Sequence, residues 1–165
     1  RCYCGKVRVG TTAAAPVKPG TFCACESCRR AHGSLLYSVV YVPAATFRVL
    51  EGAEHVKWYH PAVAADDDVA HKGRAWCTNC GTRVFIRNYF MDQRLVGLHH
   101  GNFEDAALVN DETWRPSRYV HQHEQPCALL ADALKHLKDP YAPPPPSAGA
   151  DTRAASAPAA NADAT

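Results

Sequence analysis

The stretch AWCTNCGTRVF, residues 75–85, decides which fold this sequence can adopt. Two residues separate Cys77 from Cys80, and Gly81 follows at once. This pattern is typical of a tight turn that aims two sulfurs and several backbone N–H groups at one metal ion. The residues after the turn alternate as a strand does. The stretch therefore predicts half of a metal site at the start of a strand.

The opening run RCYCGKVRV, residues 1–9, offers two more cysteines at the entry to another strand. Cys2 and Cys4 complete a four-cysteine set with Cys77 and Cys80, which is the closed, redox-inert arrangement of structural zinc. An ion bound there would cross-link the chain over the 72 residues between Cys4 and Cys77. Closing so long a loop constrains the unfolded chain, so we expect this site to stabilise the fold.

A third cysteine-rich stretch, FCACESCRRAHG, spans residues 22–33. Its three cysteines, Cys23, Cys25 and Cys28, are one ligand short of a tetrahedral zinc shell. His32 closes the site if it supplies the fourth ligand. If it does not, the ion keeps an exchangeable position. The sequence leaves both arrangements open.

The charge of an open three-cysteine site limits its chemistry. Three thiolates around one Zn²⁺ leave a net charge of −1, so the ion is poorly suited to making hydroxide from water. A thiol is the better fourth ligand, because zinc lowers the pKa of a bound thiol. Arg29 and Arg30 follow directly, where they can offset this charge or contact a carboxylate on the thiol compound, or simply lie in solvent.

The ordered motifs CxCG, CxCxxCRR and CxxCGT resemble the glutathione-dependent formaldehyde-activating family, also called the CENP-V/GFA domain, over residues 1–125. The resemblance implies a mainly β, Mss4-like fold of small antiparallel sheets with zinc knuckles. It implies two Zn²⁺ per chain, one structural and one catalytic and accessible to glutathione. Their ligands would be Cys2, Cys4, Cys77 and Cys80 for the first and Cys23, Cys25 and Cys28 for the second. It also implies a carbon–sulfur lyase that forms S-(hydroxymethyl)glutathione.

The chain departs from this family near residue 119. Tyr119 and Val120 stand where family members often carry a His–Ile pair, and no Trp follows them. His121 and His123 would share one face of a strand, where they could reach a metal or move a proton, although we expect a solvated strand face. His99 and His100 receive no role.

Short β-rich runs separated by Gly, Pro, Asp and Asn predict a sheet protein. The predicted strands cover residues 6–9, 35–42, 47–50, 55–59, 82–87 and 94–99. In the 82–87 run, Val84 and Ile86 should be buried on one face, with Phe85 between two arginines on a mixed face. The acidic run ADDDV at 65–69 is expected to be a solvated loop.

The pattern changes after residue 125. Leu130, Ala133, Leu134 and Leu137 recur at helical spacing, which predicts an amphipathic helix over about residues 127–138, with Cys127 as a small buried residue. The predicted organisation is therefore a zinc-binding domain at 1–125 and a C-terminal helix at 126–140 that packs on this domain, followed by a disordered Ala/Pro-rich tail at 141–165.

The composition limits the kinds of partner and compartment that the sequence indicates. The 165 residues include 18 basic and 16 acidic side chains, and these form no basic stripe, so nucleic acid is not indicated. No run is long and apolar enough to predict a membrane span. Seven of the eight cysteines are clustered, which favours metal over four disulfides and predicts a reducing, intracellular compartment, the cytoplasm or an organelle. The first residue is Arg1, so a removed targeting peptide stays open.

Two hypotheses about function follow. The first is a zinc-dependent carbon–sulfur lyase-like enzyme that presents its second ion to a small thiol such as glutathione. The second is a non-catalytic zinc-stabilised scaffold that binds a protein partner through the C-terminal helix or tail. They differ in whether Cys23, Cys25 and Cys28 leave a reachable coordination position.

Overall fold

A computed structural model describes residues 1–59, 73–87 and 94–137. Within those ranges the chain forms nine strands and two short helices. The strands are β1 (Arg8–Thr11), β2 (Lys18–Cys23), β3 (Tyr37–Pro43), β4 (Phe47–Glu51), β5 (Val56–Tyr59), β6 (Gly73–Cys77), β7 (Arg83–Arg87), β8 (Leu95–His99) and β9 (Pro116–Val120). The helices are α1 (Glu26–His32) and α2 (Ala128–Leu134). The predicted mainly β fold is confirmed.

Seven strands form one sheet in the order β5-β6-β7-β8-β3-β2-β9, and β1 pairs with β4 in a separate two-stranded ladder. The described pairs are antiparallel except β2 and β9, which run parallel. Strand β2 therefore lies between β3 and β9. Its last residue, Cys23, pairs with Tyr37 on one side and Val120 on the other. The first of the three clustered cysteines is therefore held by a strand on each side.

A close backbone approach explains why β2 contains a glycine. A Cβ added at Gly20 would lie 2.6 Å from the carbonyl oxygen of Arg115, next to the start of β9. Any larger residue there would push β9 away, because no Cβ fits at that distance from a backbone oxygen. Gly20 therefore allows β9 to pair beside Cys23.

The core has two parts. The larger cluster joins residues of the sheet with residues of the β1–β4 ladder and includes Val7, Val40, Val96 and Cys77. The smaller cluster packs Tyr37, Val39, Ile86 and Val120 around Cys23. The three-cysteine stretch is thus anchored in its own hydrophobic cluster, apart from the main core.

Strand β7 corrects one expectation. Val84, Phe85 and Ile86 are all buried, so the strand has no half-exposed apolar face. The reason is that both faces of the sheet are covered at this strand. Helix α1 contacts it, since Arg83 Nε donates to the Ala31 carbonyl at 3.1 Å. Alternation predicts a solvated face only where the sheet lies at the surface.

The six predicted strands are present, with ends shifted by up to two residues. The C-terminal helix is confirmed over Ala128–Leu134, inside the predicted range, but none of its residues is fully buried, and Cys127 is half-buried rather than buried. The acidic run at 65–69 and the tail at 141–165 lie outside the described residues. Within the described part of the chain, no helix has the length and apolar character that a membrane crossing requires.

Candidate metal centres

The four-cysteine group joins the chain start to the turn after β6. The sulfurs of Cys2 and Cys4 are 3.6 Å apart, and those of Cys4 and Cys77 are 3.8 Å apart. With Cys80, all four sulfurs lie within 4.8 Å of one another. Tetrahedral zinc with bonds of about 2.3 Å separates its sulfurs by roughly 3.8 Å. The donor set and its spacing therefore fit a closed four-thiolate site, as the sequence predicts.

Two similar turns present these sulfurs. After Cys77, the Gly81 amide donates to the Cys77 carbonyl at 2.8 Å, and Gly81 has a φ of 74°. Near the chain start, the Val7 amide donates to Cys2 Sγ at 3.2 Å. Such N–H···S contacts favour a thiolate over a thiol. Gly81 is needed because its left-handed backbone is strained for other residues.

The thiols of the second turn differ in their environments. A hydrogen bond from the Thr82 hydroxyl lowers the pKa of Cys80 to about 5. Burial raises the pKa of Cys77 to about 11. A metal ion that binds all four sulfurs has to displace the proton of the buried thiol, and this links its affinity to pH.

The three-cysteine group lies where β2 runs into α1. Cys23 ends β2, Cys25 caps α1, and Cys28 is on the first turn of the helix. The Cys25 sulfur accepts a hydrogen bond from the Cys28 amide at 3.4 Å. The three sulfurs lie within 4.8 Å of one another, so the structure brings together the three residues that the sequence singles out.

Within this group one thiol ionises first. Hydrogen bonds from the neighbouring thiols of Cys23 and Cys28 lower the pKa of Cys25. The same sharing of protons, together with burial, raises the pKa of Cys23. The cluster therefore holds a thiolate ready at Cys25, and a cation that replaces the remaining protons relieves the competition among the three sulfurs.

His32 lies apart from the three sulfurs. It is not a member of the three-cysteine group in the described chain. Its ring instead stacks on Tyr37 with centroids 4.2 Å apart. The ring of His99 lies edge-on to it, with the two centroids 5.0 Å apart. Burial, with Arg74 and Arg83 nearby, lowers the pKa of His32 to about 4. The imidazole is therefore neutral at pH 7.

A buried arginine stands beside the group. Arg74, on β6, is 7% exposed, and its Nη2 donates to the hydroxyl of Ser27 on α1 at 2.9 Å. A hydrogen bond with Cys23 lowers the pKa of Cys28, but the bond with Cys25 and burial raise it to about 11, and the positive charge of Arg74 partly opposes that rise. None of the described acidic residues forms an ion pair with it. Sequence analysis missed Arg74, because an arginine in a short strand gives no signal that it points inward.

An open cleft of 710 Å³ is lined by Cys80 and Thr82 and by His32, Tyr37 and His99. None of the three clustered cysteines lines it, but Tyr37 packs in the same hydrophobic cluster as Cys23. Three buried polar atoms here find no hydrogen-bond partner among the described residues: His32 Nε2, Tyr37 Oη and His99 Nδ1. Buried polar atoms are nearly always paired, so unpaired ones at a cleft point to a bound water, ion or ligand.

The two arginines expected beside the site differ. The Nε of Arg29 donates to the Ala24 carbonyl at 2.7 Å, so this side chain supports the turn before α1. Arg30 is 80% exposed and forms an ion pair with Glu26 at 2.7 Å. Arg30 is therefore exposed to solvent, whereas the side chain of Arg29 is held by a backbone carbonyl.

The segment after β9 differs from the expected strand face. Strand β9 ends at Val120, His121 has a left-handed backbone with φ of 56°, and residues 122–124 form a 3₁₀ turn. His121 and His123 therefore lie on a turn, with Glu124 between their rings. Tyr119 is fully buried, and its hydroxyl has no hydrogen-bond partner in the described ranges.

Together these features define a β protein with a four-cysteine knuckle pair and a second group of three cysteines. A family model, glutathione-dependent formaldehyde-activating enzyme, matches residues 1–124. The chain belongs to this family. The search of curated proteins found no match. A crystal structure of a Rhodobacter sphaeroides protein is similar, with a TM-score of 0.48 and 20% identity over 62% of this chain and 84% of that one.

Proposed function

We propose that the protein is a zinc-dependent carbon–sulfur lyase-like enzyme that acts on a thiol adduct of the S-hydroxymethylglutathione type. In this proposal Cys2, Cys4, Cys77 and Cys80 hold a structural Zn²⁺, and Cys23, Cys25 and Cys28 hold the ion of the active site. The observation that carries the proposal is the three-sulfur group, which includes no fourth cysteine or histidine from the described residues.

A bound Zn²⁺ supplies a Lewis-acid position that can take a thiol as its fourth ligand and lower the pKa of that thiol. Three thiolates and one divalent ion carry a net charge of −1, and a substrate thiolate would make it −2. The buried guanidinium of Arg74 offsets this charge, because its field acts on the Cys28 sulfur. Arg74 thus favours an anionic sulfur in the site.

The cleft offers groups that can orient a substrate. His32, Tyr37 and His99 present unpaired polar atoms at its inner wall, and the two imidazoles are neutral because burial lowers the pKa of each. They can exchange hydrogen bonds with a hydroxyl group without adding charge. Arg29 and Arg30 do not line this cleft, but they follow Cys28 directly and are the cations nearest to it in sequence that could contact carboxylates of a thiol such as glutathione.

The reaction itself needs no oxidant. In the forward direction the thiol sulfur adds to the aldehyde carbon, a carbon–sulfur bond forms, and the thiol proton ends on the aldehyde oxygen. The reverse reaction breaks the same bond and returns the proton to sulfur. The residues of the cleft therefore have to hold the sulfur as an anion and accept hydrogen bonds from the new hydroxyl group.

Glutathione binding tests this proposal. Calorimetry of the metal-loaded protein in buffers of different ionisation enthalpy should show a proton released for each thiol bound. In the cobalt form, a thiol ligand should intensify and shift the sulfur-to-cobalt absorption. Cys28→Ser should abolish both signals. Cys127→Ser is the matched control, because Cys127 lies outside both groups, and it should leave both signals intact.

One observation favours the competing scaffold role. Leu129, on α2, is 82% exposed, which suits a helix that docks on a protein partner. A filled coordination position would give no heat, no released proton and an unchanged cobalt spectrum at saturating thiol. That result would replace the enzyme proposal with the scaffold.

A further inference from the structure

A third group of ligand-type side chains lies outside both cysteine groups, on the turn that follows β9. His121, His123 and Glu124 each place one ligand atom within 4.8 Å of the other two. The Glu124 Oε1 atom is 2.9 Å from His121 Nδ1 and 3.8 Å from His123 Nε2. One carboxylate oxygen therefore faces both imidazoles.

These distances suit a shared metal ion. Zinc binds imidazole nitrogen and carboxylate oxygen at about 2.0–2.2 Å, which separates neighbouring ligand atoms by roughly 3.0–3.5 Å in octahedral or tetrahedral geometry. The two observed separations bracket this range. Two imidazoles and one carboxylate form a donor set for divalent transition metals, with the remaining coordination positions open to solvent.

The rest of the turn holds the carboxylate in place. The second oxygen of Glu124, Oε2, accepts a hydrogen bond from the Glu26 amide at the start of α1, at 2.8 Å. This contact leaves Oε1 turned toward the two rings. Outer hydrogen bonds of this kind orient metal-binding carboxylates. All three side chains are between 31% and 48% exposed, so an ion can reach them.

The backbone is also unusual here. Among the described residues, His121 is the one non-glycine residue with a positive φ. The left-handed conformation ends β9 and starts the turn, which brings His121 and His123 to the same side with ring centroids 6.0 Å apart. On a continuing strand their carboxylate neighbour would point to the opposite face. The strained residue is therefore what brings the three ligands together.

We propose that His121, His123 and Glu124 form a third metal site, which binds a divalent transition-metal ion such as Zn²⁺ through nitrogen and oxygen. It lies next to the three-cysteine group, because Val120 pairs with Cys23 and Glu124 bonds to the residue after Cys25. It binds more weakly than a four-thiolate site, since it offers three protein ligands and is open to water. It fills only after the cysteine groups are loaded.

A metal titration of the full chain tests the site. Protein that already holds two equivalents of Zn²⁺ is titrated with further Zn²⁺ by calorimetry and equilibrium dialysis. The wild type should bind a third equivalent. His123→Ala and Glu124→Gln should each lose it, whereas His136→Ala, which removes another exposed histidine, should retain it. Co²⁺ added as the third ion should give weak visible bands without the sulfur charge-transfer absorption.

Three results would overturn the proposal: a wild-type protein that stops at two equivalents, a third equivalent that persists in both variants, or a cobalt spectrum with sulfur ligation. The outcome is separate from that of the lyase proposal. His123→Ala should keep the thiol-dependent proton release, and Cys28→Ser should keep the third, nitrogen-and-oxygen-bound ion while losing that release.

Discussion

The two cysteine groups use similar ligands in opposite ways. The four-cysteine group draws its ligands from two turns separated by 72 residues, and two of its cysteines, Cys2 and Cys77, are in the main core. The three-cysteine group takes all its cysteines from residues 23–28, in a small hydrophobic cluster apart from the main core. A metal ion that closes a long loop stabilises the fold, whereas one that joins near neighbours adds little stability and can keep a position open.

The largest expected difference concerns folding. Cys77→Ser should lose much of the stabilisation from metal, which is on the order of 10 kcal/mol for structural zinc, and leave a poorly folded chain. Cys28→Ser should keep most of the fold, because its loop is short. Circular dichroism and thermal unfolding of both variants compare them directly. If the two variants unfold to the same extent, the division into a structural and a functional cysteine group is wrong.

The next prediction tests the buried guanidinium of Arg74. Arg74→Leu should weaken metal retention at the three-cysteine group by about 2 kcal/mol or more, because a buried negative site loses its counter-charge. Competition with a chromophoric chelator measures this, and the four-cysteine ion should be unaffected. Arg74→Lys should recover part of the loss, and the exposed Lys57→Ala should cause none. A uniform weakening of both ions would show that Arg74 supports only the fold.

The pH dependence of stability should respond to His32. The folded state keeps this imidazole neutral, with a pKa of about 4 against 6.5 for a free histidine. The unfolded chain therefore binds more protons between those values, and stability falls as pH drops from 6.5 toward 4. One such group gives a slope of up to about 1.4 kcal/mol per pH unit.

The variant His32→Phe keeps a stacking ring on Tyr37 and should flatten that slope. Denaturant unfolding of the metal-loaded protein at pH 6.5 and 5.5 gives the comparison. His136→Ala serves as control because it removes an exposed histidine. If the slope of His32→Phe matches that of the wild type, the acid sensitivity comes from the metal thiolates alone.

The smallest effect is expected for Arg30. Arg30 is exposed and paired with Glu26, so Arg30→Ala should change the free energy of unfolding by no more than about 0.5 kcal/mol. If Arg30 contacts a substrate carboxylate, as proposed, KM rises several-fold while kcat stays the same. Steady-state kinetics with glutathione and formaldehyde measures both, with Lys57→Ala as the control. An unchanged KM would remove Arg30 from the binding site.

The cysteines were predictable from the sequence because their spacing is local and chemically specific. The strands with clear alternation were also predicted. Strands β2, β6 and β9 were missed. Strands β2 and β9 each contain a proline, and β2 also contains Gly20, which is typical of a turn unless the close approach of β9 is known. Strand β6 is buried at four of its five residues, so it shows no alternation. Helix α1 is only seven residues long and has no fully buried residue, so it gives no apolar periodicity.

The wall of the candidate site could not be predicted, for a different reason. Arg74 and His99 are far in sequence from the three cysteines. Both are buried, Arg74 against Ser27 and His99 against His32, and only the folded sheet determines these positions. A single sequence places charged and imidazole side chains at the surface by default. The arginines chosen from the sequence, Arg29 and Arg30, were the near neighbours in the chain, while the buried cation comes from another strand.

The parallel pairing of β2 with β9 also fixes an order of events during synthesis. The cluster of Cys23, Cys25 and Cys28 leaves the ribosome complete, whereas the strand that walls it, up to Val120, follows 92 residues after Cys28. At translation rates of about 5–20 residues per second this interval is roughly 5–18 s. The nascent chain thus exposes these three thiols before the strand that shelters them is made, so early metal delivery would protect them from oxidation.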